Sequence, residues 1–281
     1  MIRFVDVTKR FGKTTAIDHL SLDIVDDGIY CLLGRNGAGK TTLMRLLAGR
    51  LAATDGQIMV DEKPIAWGKE SDKVSFVEGG SEQFNMRVSD LIDSAASLQV
   101  GFDRDFALKM VDRFELDTSK KHKQLSGGMK TMLEAILALA NNAPIVLLDE
   151  PTLGLDAIIR DRFNTMLLES YELRPRILIV ATHLIDEIAK ITEQLIIIDK
   201  GQVLLQADIG QIDESAYTLT GPTSMIEPLL DGLNCIGTTT AGTVMSAHVF
   251  DKRIEVPDEI TVSRLSLQDF FIHSVEGRDH E

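Results

Sequence analysis

The 281-residue chain has few of the devices that small secreted or membrane-embedded proteins depend on. Two cysteines, Cys31 and Cys235, are too few for a disulfide framework or a multi-cysteine zinc site, and they fit a reducing compartment. Apolar stretches such as those at 144–148, 177–181 and 195–198 run to about five residues, and none in the sequence comes near a membrane span. A membrane span needs about 20. Residues 1–13 carry charges throughout and have no apolar centre, so no secretory signal is expected there. The chain reads as soluble and intracellular. Basic charge is also in deficit, with 29 Lys and Arg against 43 Asp and Glu and a net charge of −14. That excludes a broad basic face for wrapping nucleic acid, but not a local phosphate site. No internal repeat or low-complexity tract is visible.

What is present is enough apolar residue, 44%, to build a core at this length without a staple. The acidity is uneven: residues 211–281 hold 12 Asp and Glu against 4 Lys and Arg. Residues 2–7 and 20–25 alternate as half-buried strands, with a turn at Phe11-Gly12-Lys13. Asp26-Asp27-Gly28 reads as a hairpin signal before the apolar run 29–33. Residues 41–51 read as a helix with Leu43, Leu46, Leu47 and Leu51 on one face. Residues 57–61 and 74–77 are further strands. Residues 88–142 carry helical periodicity, interrupted by a basic loop at Lys120-Lys121-His122-Lys123. Strands at 145–149, 176–182, 195–199 and 203–206 then alternate with helices at 156–171 and 184–191. Such alternation predicts a parallel sheet flanked by helices, an α/β fold.

Three motifs carry chemistry. Gly34-Arg35-Asn36-Gly37-Ala38-Gly39-Lys40-Thr41 matches G-x-x-x-x-G-K-[ST] at every fixed position and lies between a strand and a helix. Its glycines let backbone N–H groups face phosphates, and the following helix offers its positive end. Lys40 is placed for the β- and γ-phosphates and the Thr41 hydroxyl for Mg²⁺. The second motif is an apolar strand, 145–148, ending in Asp149-Glu150. It puts carboxylates at the sheet edge that also carries the phosphate loop. Asp149 would hold Mg²⁺ and Glu150 would deprotonate an attacking water. The third, Leu125-Ser126-Gly127-Gly128-Met129, is a second anion site at a helix start.

Phosphate loop, Leu-Ser-Gly-Gly, Asp-Glu-Pro-Thr and Ala181-Thr182-His183 appear in that order, and together residues 1–210 resemble the nucleotide-binding subunits of ATP-binding-cassette (ABC) transporters. The resemblance implies a P-loop NTPase core with an N-terminal antiparallel β subdomain, an inserted helical subdomain at about 84–142, and an acidic C-terminal appendage at 211–281. It implies ATP and Mg²⁺ as cofactors. It also implies a head-to-tail dimer with a second copy or a homologous ATPase subunit. A separate membrane permease would supply the pathway, placing the chain on the inner face of the cell membrane, and no nucleic-acid partner is expected. A member of the family that acts instead on a soluble complex such as the ribosome is the alternative.

By the same resemblance, Phe11 stacks on adenine, and Gly34 through Thr41 with Thr42 cradle the phosphates. Ser126, Gly127 and Gly128 reach the partner's γ-phosphate. Asp156, after Leu155, touches the partner subunit and its nucleotide. His183, 34 residues after Asp149, is the switch histidine. The sequence departs from the family pattern at Arg35, at Met129 and at the Mg²⁺-ligating glutamine. For that glutamine, either Glu78 or Gln83 is the replacement. A short helix near 266–271 resembles the C-terminal helix of subunits serving antibiotic, peptide and lantibiotic exporters.

Overall fold

The structure is a computed structural model and describes residues 1–68, 73–79, 84–183 and 185–276, the side chains of 186 and 187 excepted. The chain divides into two compact units, Met1–Thr192 with Ile198–Val203, and Glu193–Ile197 with Leu204–Glu281.

The first unit opens with strands β1 (Ile2–Phe11) and β2 (Thr14–Ile24), joined by the tight turn Gly12-Lys13 with Gly12 at φ +58°. β3 (Gly28–Leu33) and helix α1 (Lys40–Leu47) follow, then β4 (Asp55–Val60), β5 (Lys63–Pro64) and β6 (Val74–Glu78). Three helices come next, α2 (Val88–Leu98), α3 (Arg104–Arg113) and α4 (Gly127–Ala140). The chain then alternates through β7 (Ile145–Asp149), α5 (Ala157–Leu173), β8 (Ile177–Ala181) and α6 (Ile185–Ile188). Strands β9 (Gln194–Asp199) and β10 (Gln202–Asp208) flank the turn Lys200-Gly201, both residues at positive φ; Ile198–Val203 belongs to the first unit and the rest of both strands to the second.

Two sheets result, and burial explains which strand joins which. β1 and β2 alternate between buried and exposed positions and pair antiparallel, with β4 and β5 completing the order β2-β1-β4-β5. β3, β7 and β8 are buried at every position and lie parallel in the run β3-β8-β7-β6. Strands covered on both faces read as continuous apolar runs. Asp26-Asp27-Gly28 is therefore not a hairpin. It is the crossing from β2 in one sheet to β3 in the other. Turn chemistry is local and carries no information about the sheet that the next strand joins. Around the parallel sheet, α1 buries Leu43, Leu46 and Leu47, and α5 buries Phe163, Met166 and Leu167. α4 is the most apolar helix, with seven buried residues from Met132 to Ala140.

Two further readings change. The helix expected at 184–191 closes after Ile188, where the Ile191 N–H bonds to Ile188 O at 3.0 Å and tightens the last turn. Leu184, where it was expected to begin, lies outside the described residues. The basic run at 120–123 leads into a short 3₁₀ turn, His122–Gln124, in which His122 points inward, 1% exposed. Its Nδ1 accepts from the Phe84 N–H at 3.3 Å, and its Nε2 is 3.5 Å from Glu134 Oε1 on α4.

The second unit contains α7 (Ile209–Ser215), β11 (Ala216–Pro222), α8 (Thr223–Ile226), β12 (Cys235–Ala241), β13 (Val244–Phe250), β14 (Thr261–Arg264) and α9 (Leu267–Glu276). Its sheet is antiparallel in the order β12-β13-β11-β14. Tyr217, Leu219, Ile226, Ala247, Val249 and Ile260 form its core. α9 lies against β12 and β13: Phe270 meets Phe250 edge-on, centroids 5.0 Å apart, and His273 stacks on His248 at 3.8 Å.

Candidate functional site

The candidate site lies at the carboxyl edge of the parallel sheet. Register places Leu32 beside Ala181, Ala181 beside Asp149, and Asp149 beside Glu78, so four strands end on one rung. The loop leaving β3 is Gly34–Gly39. Gly39 has φ +111°, and a Cβ there would lie 2.7 Å from Ala16 O and 2.9 Å from Ile17 Cδ1. Only glycine fits both that dihedral and that space. α1 then begins at Lys40 with no side-chain cap, leaving its first N–H groups for a ligand.

Lys40 is buried, and its Nζ donates to Gly34 O at 2.6 Å and to Arg35 O at 3.4 Å. Burial pulls its pKa below the usual lysine value, and the charges of Glu150 and Asp149 oppose that shift. Thr41 Oγ1 donates to Asp149 Oδ2 at 2.6 Å. Burial pushes the Asp149 carboxyl up, the Thr41 bond pulls it back, and Glu150 and Glu78 push it further. Asp149 Oδ1 is buried without a hydrogen-bond partner among the described residues. A buried carboxylate oxygen left over beside a hydroxyl is the hard-oxygen donor set a divalent cation such as Mg²⁺ takes.

Glu150 has φ +47°, a conformation that costs a non-glycine residue about 1–2 kcal/mol. Its own N–H bonds to Ala181 O at 2.8 Å, which turns the side chain off the strand axis. Both carboxylate oxygens are 3.0 Å from His183 Nδ1. With Glu150 ionised, Nδ1 carries the proton and donates, and Nε2 is the free ring nitrogen of that tautomer.

These groups line a cleft of about 810 Å³ that contains Arg35, Asn36, Gly37, Gly39 to Thr42, Glu78, Asp149 and Glu150. Gly127, Gly128 and Thr131 of α4 line it as well, with Leu153 and Gly154. A Cβ on Gly128 would come within 2.6 Å of Leu155 Cδ2, so the start of α4 sits directly on the loop that follows Asp149. Within the Gly34–Gly39 loop, Gly34 and Ala38 are buried.

Other expected residues stand apart from the cleft lining. Ser126 caps α4, its hydroxyl accepting from the Met129 N–H at 3.3 Å. Asp156 caps α5, accepting from the Ile159 N–H at 2.9 Å. Phe11 is 48% exposed at the β1–β2 turn, with Lys9 Nζ 5.0 Å from its ring centroid. Ala16, not Phe11, lines the cleft from that sheet. Gln83 lies outside the described residues. Sequence reasoning missed Arg45, whose guanidinium binds the Glu78 carboxylate. Helical spacing was the available signal, since residues 41 and 45 share a face.

The ABC transporter family model matches residues 17–153. ABC transporter ATP-binding protein YtrB of Bacillus subtilis (strain 168) is 26% identical over 216 residues, covering 76% of this chain and 74% of that protein. YhaQ of the same organism, an uncharacterized ABC transporter ATP-binding protein, is 30% identical over 222 residues, again covering 76% and 74%. Lantibiotic transport ATP-binding protein SrtF of Streptococcus pyogenes is 26% identical over 212 residues, covering 74% of this chain and 91% of that one. Among solved structures, the dimeric ATP-binding cassette MJ0796 in a post-hydrolysis state with ADP and Pi superposes with a TM-score of 0.65 at 24% identity, covering 74% of this chain and 99% of its own. At that identity the likeness is one of fold. The sequence match to YhaQ goes beyond fold, at 30% identity over most of both chains. The chain belongs to the ATP-binding proteins of ABC transporters, and it is an ATPase.

Proposed function

We propose that the chain powers a separate membrane permease, hydrolysing ATP at a head-to-tail dimer interface and driving export of a peptide, antibiotic or similar compound. The observation that carries the ATPase half of this reading is the pairing of Glu150 with His183 one residue from the Thr41–Asp149 bond. The backbone N–H groups of 36–41 would bind the phosphates. Lys40 would exchange its carbonyl partners for β- and γ-phosphate oxygens. Thr41 and Asp149 would hold Mg²⁺, with Glu78 at its edge, and the ion would neutralise phosphate charge. Glu150 would take the proton from the attacking water, and His183 would steady the carboxylate through Nδ1. Ser126, Gly127, Gly128 and Asp156 would serve the nucleotide of the facing subunit, and Phe11 the adenine.

The transport half rests on the relatives, among them subunits for lantibiotic and bacitracin transport. Sulfonate and sulfate import subunits are about as similar, so the direction of transport rests on the resemblance of the helix near 266–271 to the C-terminal helix of exporter subunits. Among the described residues no helix is long and apolar enough to cross a membrane, which agrees with a peripheral position on the cytoplasmic face. A cleft of about 670 Å³ near the helical lobe, lined by Arg50, Phe76, Leu98, Gln99 and Val100, offers a docking surface. Leu98 and Val100 are 82% and 96% exposed there.

Two experiments test the reading. Lys40→Ala should weaken ATP binding, and unchanged affinity would remove the phosphate-loop assignment. Affinity purification from detergent-solubilised membranes should recover a polytopic membrane protein. Recovery of ribosomes in its place would overturn the transport role.

A further inference from the structure

Arg45 has no role in the reading above, yet it lies on α1 one turn after Thr41 and faces the same strand end. Its Nε donates to Glu78 Oε2 at 3.1 Å and its Nη2 to Oε1, a bidentate pair. Glu78 stands beside Asp149 in the register of β6 and β7, and both line the cleft with Glu150. Three carboxylates thus surround the place where polyphosphate would bind. The Glu78 side chain is 18% exposed and Arg45 46%. A half-exposed pair of this kind adds little to fold stability, so its main consequence is the charge it cancels. A bare carboxylate in that position would repel nucleotide phosphate across a partly desolvated cleft.

Resting on the cation position proposed above, we propose that Arg45 is a positioning residue for the ATPase reaction. It holds Glu78 as a neutral ion pair beside Asp149, which makes a carboxylate compatible with nucleotide binding at the edge of the cation position. Because the fork engages both oxygens, Arg45 fixes the orientation of the Glu78 carboxylate.

The test is a double-mutant cycle on the purified full-length chain, with R45M, E78Q and R45M/E78Q titrated with a fluorescent ATP analogue in EDTA and in excess Mg²⁺. In EDTA, R45M should bind about tenfold more weakly than wild type, since the Glu78 carboxylate then faces the phosphates without the Arg45 guanidinium. The double variant should return to within about threefold of wild type, because the charge is gone. E78Q alone leaves Arg45 uncompensated and should bind severalfold more tightly in EDTA. A merely structural pair would show no rescue, and a double variant as weak as R45M overturns the inference. If R45M does not fold, E78Q decides: no tightening in EDTA overturns it equally. Failure of the underlying reading looks different, since wild type would then bind nucleotide equally with and without Mg²⁺.

Discussion

Arg176 offers a test of how the site is held together. It sits at the entry to β8, 4% exposed, and its guanidinium reaches across to the end of α4. Nη2 donates to Leu139 O and to Ser170 Oγ, both at 2.7 Å. Nη1 donates to Asn141 O at 2.7 Å, with a longer contact of 3.4 Å to Ala143 O. The last carbonyls of the signature helix are thereby tied to the strand that leads to His183. Replacing Arg176 by methionine removes three short charge-assisted bonds, worth about 2 kcal/mol each or about 6 kcal/mol together. Against that stands the burial of the guanidinium, which pulls its pKa down from the ordinary arginine value to about 10 and is unfavourable by about 3 kcal/mol. The net loss is about 3 kcal/mol, or about 9 °C in Tm for a unit of this size. Urea unfolding followed by circular dichroism measures it. Arg176→Lys should lose nearly as much, because one ammonium cannot reproduce the fork. A loss below about 1 kcal/mol in the methionine variant would mean that the desolvation of the charge cancels its bonds, and would overturn the claim that this residue fastens α4 to β8.

Glu150→Gln should lower kcat by about 10²–10⁴ while leaving ATP binding intact, and wild-type hydrolysis would remove Glu150 as the base. Gly39→Ala should weaken ATP affinity by at least about tenfold, because the φ and the approach of Ala16 O both exclude a side chain; equilibrium titration reads it, and unchanged affinity would contradict the geometry. In the second unit, burial holds the His248 pKa below 6.5, with His273 adding to the shift and Asp269 opposing it, while Thr218 Oγ1 lies 3.0 Å from its Nδ1. A depressed histidine binds fewer protons folded than unfolded, so its contribution is present above pH 6.5 and is lost as pH falls through the folded value. Thermal melts should therefore show the second unit weakening below pH 6.5, less steeply in His248→Gln, and identical slopes would exclude the stack as the cause.

The glycine loop before α1, the Ser126 cap of α4 and the strand end at Asp149-Glu150 were legible in the sequence because their geometry is local: consecutive residues at fixed spacing make the loop, the cap and the strand end. The fully buried strands were legible too, since an apolar run at 145–148 or 177–181 has few other uses. Partnership across the chain was not. Nothing at Asp26-Asp27-Gly28 says that β3 pairs with β8, more than 140 residues later, because sheet membership depends on what covers both faces of β3. The same holds for Arg45 and Glu78, which meet only after β6 is placed beside β7. His122 was read as part of a basic run because its neighbours are lysines, whereas packing against Phe84 turned its ring inward.

The shared rung Leu32–Ala181–Asp149–Glu78 also bears on how this site tolerates change. Strand residues advance by about 3.3 Å and alternate faces, so a single insertion or deletion within β3, β6, β7 or β8 turns every later side chain of that strand to the opposite face. The sheet then acts as a ruler whose smallest division is one residue.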